Sequence, residues 1–388
     1  MMSEPPVRIL RDTFCTEDRA DWAPHGCGGI WRRRQTDGIL RRNGVEPVNL
    51  EAPLPASLPT RLLYGLRMKR RLGSSLQWTR RSLSAADRSF RFYRHNARRS
   101  GLAPVALLES GSDPVAVAAL KDEGFRVVAV LEAIHSLWRD RPNPFTGSYP
   151  ESFFAEICAL SNVDAVFCIS REEQWLLNNV GIAAEYLPYF PDEERAGVLL
   201  GERARRRARE RKRTREFLIC ATRGNTDTLT SFIEQAEWIR RAVPEGHAIF
   251  NVTGYNTEAI KDIWKDKRFV FHGTCSDQKF RAVRRRCSAI CLHQRQGLGS
   301  LTRIPDMILA GSAVIANGPA ARSFIDMRGV FTYDTLRQFA ELLEREISMP
   351  PVPQRPLELE NAFFASLSLR PRPLPLPLSL NLADAVPE

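Results

Sequence analysis

Residues 288–317 read SAICLHQRQGLGSLTRIPDMILAGSAVIAN. A short apolar strand, Ala289 to Leu292, runs into the loop Gly297-Leu298-Gly299-Ser300. The spacing then predicts a helix that opens near Thr302 and ends at Gly311, followed by a second apolar strand, Ala313 to Ala316. Strand, glycine loop, helix start and strand is the succession with which a doubly wound α/β domain builds an anion site. The unpaired N–H groups of the first helical turn, and its positive dipole end, face the carboxyl edge of the sheet. Pro305 is compatible because first-turn N–H groups have no intrahelical acceptor to lose. Leu301, Ile304 and Ile308 fall at core-facing spacing, and Thr302 is the expected N-cap.

The same rhythm extends outward from this stretch. Strands are expected near 217–221, 248–253, 268–272, 288–292 and 312–316, with helices such as Leu229–Arg241 and Gln278–Arg286 between them. Upstream, VRIL leads through Gly26, Gly28 and Gly29 into a helix over Ile30 to Arg42 and a second strand, VEPVNL, which makes a βαβ unit. Strands follow at Val105–Leu108, Val127–Val130, Ala165–Ile169 and Ala184–Leu187, with helices at Ser152–Leu160 and Arg171–Asn179. The expected fold class is α/β, with two Rossmann-like doubly wound parallel-sheet domains. Residues 1–191 form the first domain, 192–216 a charged interdomain linker and 217–348 the second domain. Residues 349–388, rich in Pro and Leu without periodicity, are expected to be a disordered or extended tail.

The bulk composition fits a globular protein of two domains: 388 residues, 43% apolar and 26% charged. No apolar run reaches the roughly 18 residues of a membrane helix, and MMSEPPVRIL lacks a basic-then-apolar leader. Eight cysteines without CxxC pairs argue for a reducing, cytoplasmic setting without a disulfide framework or zinc site. The net charge of +11 is concentrated in two tracts. Residues 61–99 hold twelve Lys/Arg against one acid, and 201–216 hold nine against three, so the rest of the chain is acidic. The first tract also carries Leu66, Trp78, Phe90, Phe92 and Tyr93. Such a face could lie peripherally on an anionic membrane, against the plainer reading of a solvated helix pair. GERARRRARERKRTRE (201–216) reads as an exposed charged helix, and no motif supports nucleic-acid binding.

Four segments carry a family resemblance: VVAVLEAIHSLWRD (127–140), NVDAVFCISREEQWLLNNVGIAAEYLPYF (162–190), FLICATRGNTDT (217–228) and residues 269–318, ending in AGSAVIANG. From about 100 to 345 the chain resembles the GT-B fold glycosyltransferases, especially the family 4 type that uses sugar nucleotides. The first hundred residues match in rhythm only. The resemblance implies a nucleotide-diphosphate sugar as donor, no other cofactor, an acceptor of unknown identity entering from the first domain, and retention of anomeric configuration. It also implies a site that needs no metal, in keeping with the absence of an Asp-x-Asp motif. One departure stands out. The family carries two glutamates separated by seven residues around the nucleotide helix; here Asp306 fills the second position and Leu298 the first. The usual lysine partner of the loop arginine is not evident either.

Within that frame Arg223, after a strand in a Thr-Arg-Gly-Asn loop, would neutralise the leaving diphosphate with its planar fork. Gly299, Ser300 and Leu301 would offer amides to the same phosphates, with Arg303 as a second cation. Asp306 would hydrogen-bond the ribose hydroxyls, and His293 would line the donor pocket. Glu132 and His135, in the loop after a strand, would orient the acceptor hydroxyl or take its proton, with Glu109 a lesser candidate. The expected function is glycosyl transfer. A non-catalytic GT-B protein that binds a sugar nucleotide or a partner is the alternative, for which Leu298 is the argument. A nucleotide-sugar epimerase on the same fold would call for more acids and histidines around the cleft.

Overall fold

A computed structural model describes residues 6–12, 28–50, 90–109, 114–137, 153–207, 215–221, 226–261, 265–295 and 299–367. The first half builds one sheet from β1 (Val7–Asp12), β2 (Val45–Asn49), β3 (Val105–Leu108), β4 (Arg126–Leu131), β5 (Ala165–Cys168) and β6 (Ala184–Tyr186). Its order is β2-β1-β3-β4-β5-β6, and every pairing is parallel. Helices α1 (Gly28–Arg42), α2 (Pro114–Asp122), α3 (Phe153–Leu160) and α4 (Arg171–Asn179) cover it. VALL in β3 is buried along its whole length, as a strand covered on both faces must be.

After α5 (Glu193–Arg207) a second parallel sheet follows: β7 (Glu216–Cys220), β8 (Ile249–Thr253), β9 (Phe269–Gly273), β10 (Ala289–Leu292), β11 (Ala313–Asn317) and β12 (Val330–Tyr333). Its order is β12-β11-β10-β7-β8-β9. Between the strands lie α6 (Thr226–Ala242), α7 (Asp277–Arg286) and α8 (Arg303–Leu309), and α9 (Leu336–Glu344) follows β12. One core, with Phe217, Phe232, Phe250 and Phe339, fills one face, and another, with Leu218, Ile290, Ile304 and Val314, fills the other. The two expected open parallel sheets are therefore both present. Edge strand β12 and α9 lie beyond the strands read from the sequence.

Two expectations are corrected. The linker helix is not simply an exposed charged face: Leu199, Glu202 and Arg206 of α5 are buried. Arg206 donates to the carbonyls of Arg284 and Cys287 at 2.9 and 2.6 Å, and Glu202 accepts from Arg285 at 2.7 Å. The segment after 349 is also not a loose tail throughout. Residues 349–356 run without regular structure, and then α10 (Leu357–Ser366) crosses back onto the first domain. There Phe363 and Leu367 enter the core formed by Ile9, Leu40, Val130 and Phe167. Residues 368–388 lie outside the described residues.

Most of the 61–99 tract also lies outside the described residues. In its described end, Phe90 and Tyr93 belong to the core between β3 and α2, and Arg94 and Arg98 pair with Glu123. Those two aromatics are thus core residues and not a surface for lipid. Among the described residues no helix is long and apolar enough to cross a membrane.

Candidate functional site

The carboxyl ends of the two sheets bring charged groups toward each other. On the first domain, Glu109 follows β3 and Glu132 follows β4. Both carboxylates lie in the field of Arg32, a residue 1% exposed in α1 whose Nη1 donates to Gln35 at 2.7 Å. Burial lowers the Arg32 guanidinium to about 10, against the opposing pull of Glu132. The Glu132 carboxylate sits over the start of α1 so closely that a Cβ on Gly29 would fall 2.4 Å from its Oε1. His135 begins a short 3-10 turn, His135–Leu137, in the same loop; its side chain lies outside what the structure describes.

On the second domain, Gly299 has φ +64°, and a Cβ there would lie 2.3 Å from the backbone oxygen of Glu132. The glycine therefore serves a left-handed turn and a close approach across the interface at once. Gly299→Ala is expected to cost about 1–3 kcal/mol, because the opposing atom is backbone and cannot swing aside; denaturant midpoints of the two proteins would measure it. Ser300 and Leu301 follow at the entrance to α8, and Arg303 is its first residue. The Nη1 of Arg303 donates to the Cys220 carbonyl at 3.2 Å, which holds the guanidinium over the carboxyl end of β7. Arg223 belongs to the loop that leaves this strand end and, like Leu298, lies outside the described residues. Thr302 occupies the N-cap position of α8 but is already αR, and its side chain makes no capping hydrogen bond. The helix entrance is fixed instead by packing of Leu301 and Ile304.

Two donor-site expectations are not carried by their positions. Asp306 is buried and faces the linker: its Oδ1 accepts from the Tyr189 hydroxyl at 3.1 Å, and its Oδ2 accepts from Arg195 Nε and Nη2 at 2.9 and 2.5 Å. Burial works against charge on both partners and pushes the Asp306 carboxyl up, yet the carboxylate holds Arg195 above its ordinary value. Arg195 in turn stacks on Trp31 of α1, 3.4 Å from the ring centroid. The residue read as a ribose ligand thus ties α8 to the linker helix and to the first domain. His293 continues the face of Ala289 and Cys291 into the core, where its Nδ1 lies 2.9 Å from the Tyr333 hydroxyl and its ring packs on Trp238. Burial lowers its pKa. It is a caged core histidine.

Further contacts between the two domains come from α4, which carries no site residue expected from the sequence. Ser170 caps α4, accepting from the Glu173 N–H at 3.1 Å. The buried Glu173 carboxylate reaches outward: Oε1 accepts from the N–H of Ile134 at 3.2 Å and from that of Gly299 at 2.8 Å. Arg322 donates to the Gly299 carbonyl at 2.8 Å. Glu172 accepts from the N–H and hydroxyl of Ser323 at 3.1 and 2.7 Å, while the Arg171 N–H donates to Ser323 Oγ at 3.1 Å. Ser323 adopts φ +63°, unusual outside glycine. The Ser-x-x-Glu spacing was the signal available; it reads as a capping box, and only the fold shows that the glutamate is directed to the other domain.

No family model matches the chain, and no curated protein matches it in sequence. Solved structures do match in fold. Sucrose-phosphate synthase from Thermosynechococcus elongatus aligns with 87% of this chain and 89% of its own, at 12% identity and TM-score 0.55. Anabaena HepE in complex with UDP covers 87% and 88% at 10% identity and TM-score 0.53. The catalytic domain of Arabidopsis thaliana starch synthase IV, bound to ADP and acarbose, covers 94% and 96% at 11% identity and TM-score 0.52. The two six-stranded parallel sheets, each flanked by helices, make up the GT-B fold that these structures share.

Proposed function

We propose that this GT-B protein transfers a sugar from a nucleotide-diphosphate sugar to a hydroxyl acceptor. One observation carries the reading. The amide at Gly299, beside Ser300, Leu301 and Arg303 on the carboxyl edge of the second sheet, already holds a carboxylate and so is built for an anion. In this reading the diphosphate lies along the 299–301 amides, with Arg303 and Arg223 as its cations. Fixed donors of this kind stabilise the charge that grows on the leaving group, which is where such a reaction needs help. The acceptor enters from the first domain, where Glu132 and His135 are the groups proposed to orient its hydroxyl or receive its proton. The family 4 resemblance adds retention of configuration and a site that operates without a metal.

The alternative, a GT-B protein that binds without turning over, draws on a specific observation. Asp306 is committed to Arg195 and Tyr189, and Leu298 replaces the other family glutamate. A thermal-shift panel of UDP-, GDP-, ADP- and dTDP-linked sugars separates the two. A ligand at a hundred times its dissociation constant adds about 2.7 kcal/mol of stability. One base series is expected to stabilise the protein, and Arg303→Ala is expected to weaken it roughly ten- to a hundred-fold, the worth of a charged hydrogen bond. Hydrolysis or transfer of that donor then supports the enzyme reading, and tight binding without turnover supports the alternative. No response in folded protein would reject the donor site.

A further inference from the structure

Two buried carboxylates cross between the domains, and they are held very differently. Asp306 is locked: a two-pronged fork from Arg195 and the Tyr189 hydroxyl take up its oxygens. Glu173 has no such fork. The Oε1 atom accepts from two backbone amides, Ile134 and Gly299, in a setting where burial pushes its carboxyl up. The nearest guanidinium, Arg322, is half-buried and spends its Nε on the Gly299 carbonyl. A singly charged group held by two amides and the Ser170 hydroxyl, with Arg322 near it but no arginine fork, is replaceable by a more highly charged anion that also meets the cations at the site. Around it, Glu172 on Ser323 and Arg171 at 3.3 Å from Asp326 are exposed contacts of the kind that contribute little and open readily.

Resting on the donor-site reading above, we propose that Glu173 is an internal competitor of the donor. Its carboxylate occupies the Gly299 amide that the diphosphate takes, so the clasped arrangement is a self-inhibited state and donor binding requires Glu173 to leave. The N-terminal turn of α4 then works as a clasp that keeps the Gly299 amide occupied until an anion of higher charge displaces it. Glu173 is in this sense a regulatory residue of the loop and takes no part in bond making.

Two measurements on Glu173→Ala and Glu173→Gln test this. Hydrogen exchange at the Gly299 amide of the unliganded protein is expected to accelerate at least ten-fold in Glu173→Ala. It should change little in Glu173→Gln, whose side-chain oxygen can still accept the bond. This readout needs no ligand, and unchanged exchange in the alanine variant overturns the proposal. Calorimetric titration with inorganic pyrophosphate, UDP and ADP is then expected to show roughly ten-fold tighter binding to Glu173→Ala, since removing a competitor raises the fraction of binding-competent protein. Glutamine, uncharged, should fall between alanine and wild type. Wild-type binding that the alanine variant merely equals or weakens overturns the competition while leaving the donor site standing. If none of the probes binds any of the three proteins, both readings fall.

Discussion

Asp306→Ala should destabilise the protein by about 3–5 kcal/mol, the range for breaking one side of a buried ion pair. The cost arises because Arg195 stays behind, with its side chain 26% exposed and pressed against Trp31, after losing both hydrogen bonds to Asp306. Tyr189, 2% exposed, loses its acceptor as well. Asp306→Asn keeps two acceptor lone pairs in the same place and should cost clearly less. The paired variant Asp306→Leu with Arg195→Met replaces charge by packing and should recover most of the loss, giving a large coupling in a double-mutant cycle. Urea midpoints of the wild type, the Ala and Asn variants, the single variants Asp306→Leu and Arg195→Met, and the double variant decide the matter. A loss below about 1 kcal/mol would mean that the pair behaves like a surface contact. The same variants bear on function: loss of nucleotide affinity at unchanged stability would restore the ribose role that the position of Asp306 does not support.

Phe363→Ala should be comparably severe, about 3–5 kcal/mol for truncating a large aromatic in a filled core. Phe363 is fully buried and meets Phe167 of β5 edge-on, with ring centroids 5.1 Å apart. Around it α10 is fastened by polar contacts: Glu360 accepts from Arg42 at 2.6 Å and from Arg355 at 2.8 Å, and Arg126 donates to the Ser366 carbonyl at 2.7 Å. Thermal unfolding followed by hydrogen exchange should show β4, β5 and α1 losing protection first, because these elements share the core with α10. A shift in midpoint no larger than that of a surface substitution would show α10 to be dispensable.

The strands were the most legible part of the chain, and the reason is physical. Runs such as AICL and AVIA are apolar at every position because helices cover both faces of a parallel sheet, so no partner need be known to read them. The helix α10 was hidden by its surroundings: prolines on both sides suggested an extended tail, although Glu360, Phe363 and Leu367 recur at helical spacing. The placement of His293 was also within reach, since strand alternation puts it with Ala289 and Cys291 on the core face. At the candidate site, glycine chemistry pointed to Gly299 and Arg303, but the fates of Asp306 and Glu173 depend on partners 111 and 126 residues away. Local propensity carries no information about which carboxylate meets which domain. The linker helix misled for a related reason: Glu202 and Arg206 look solvated in sequence because their partners, Arg285 and the carbonyls near 287, belong to another segment.

The crossing of α10 also orders events during synthesis. Arg42 waits for Glu360, 318 residues later, and Arg126 for Ser366, 240 residues later. At 5–20 residues per second the second delay is roughly 10–50 s, during which the second domain can emerge and fold. Over that interval the groove of the first domain that later receives Phe363 is an uncovered apolar surface on the nascent chain. The first domain is therefore completed only when α10 arrives, and a chain cut short before Leu357 is expected to leave that core uncovered.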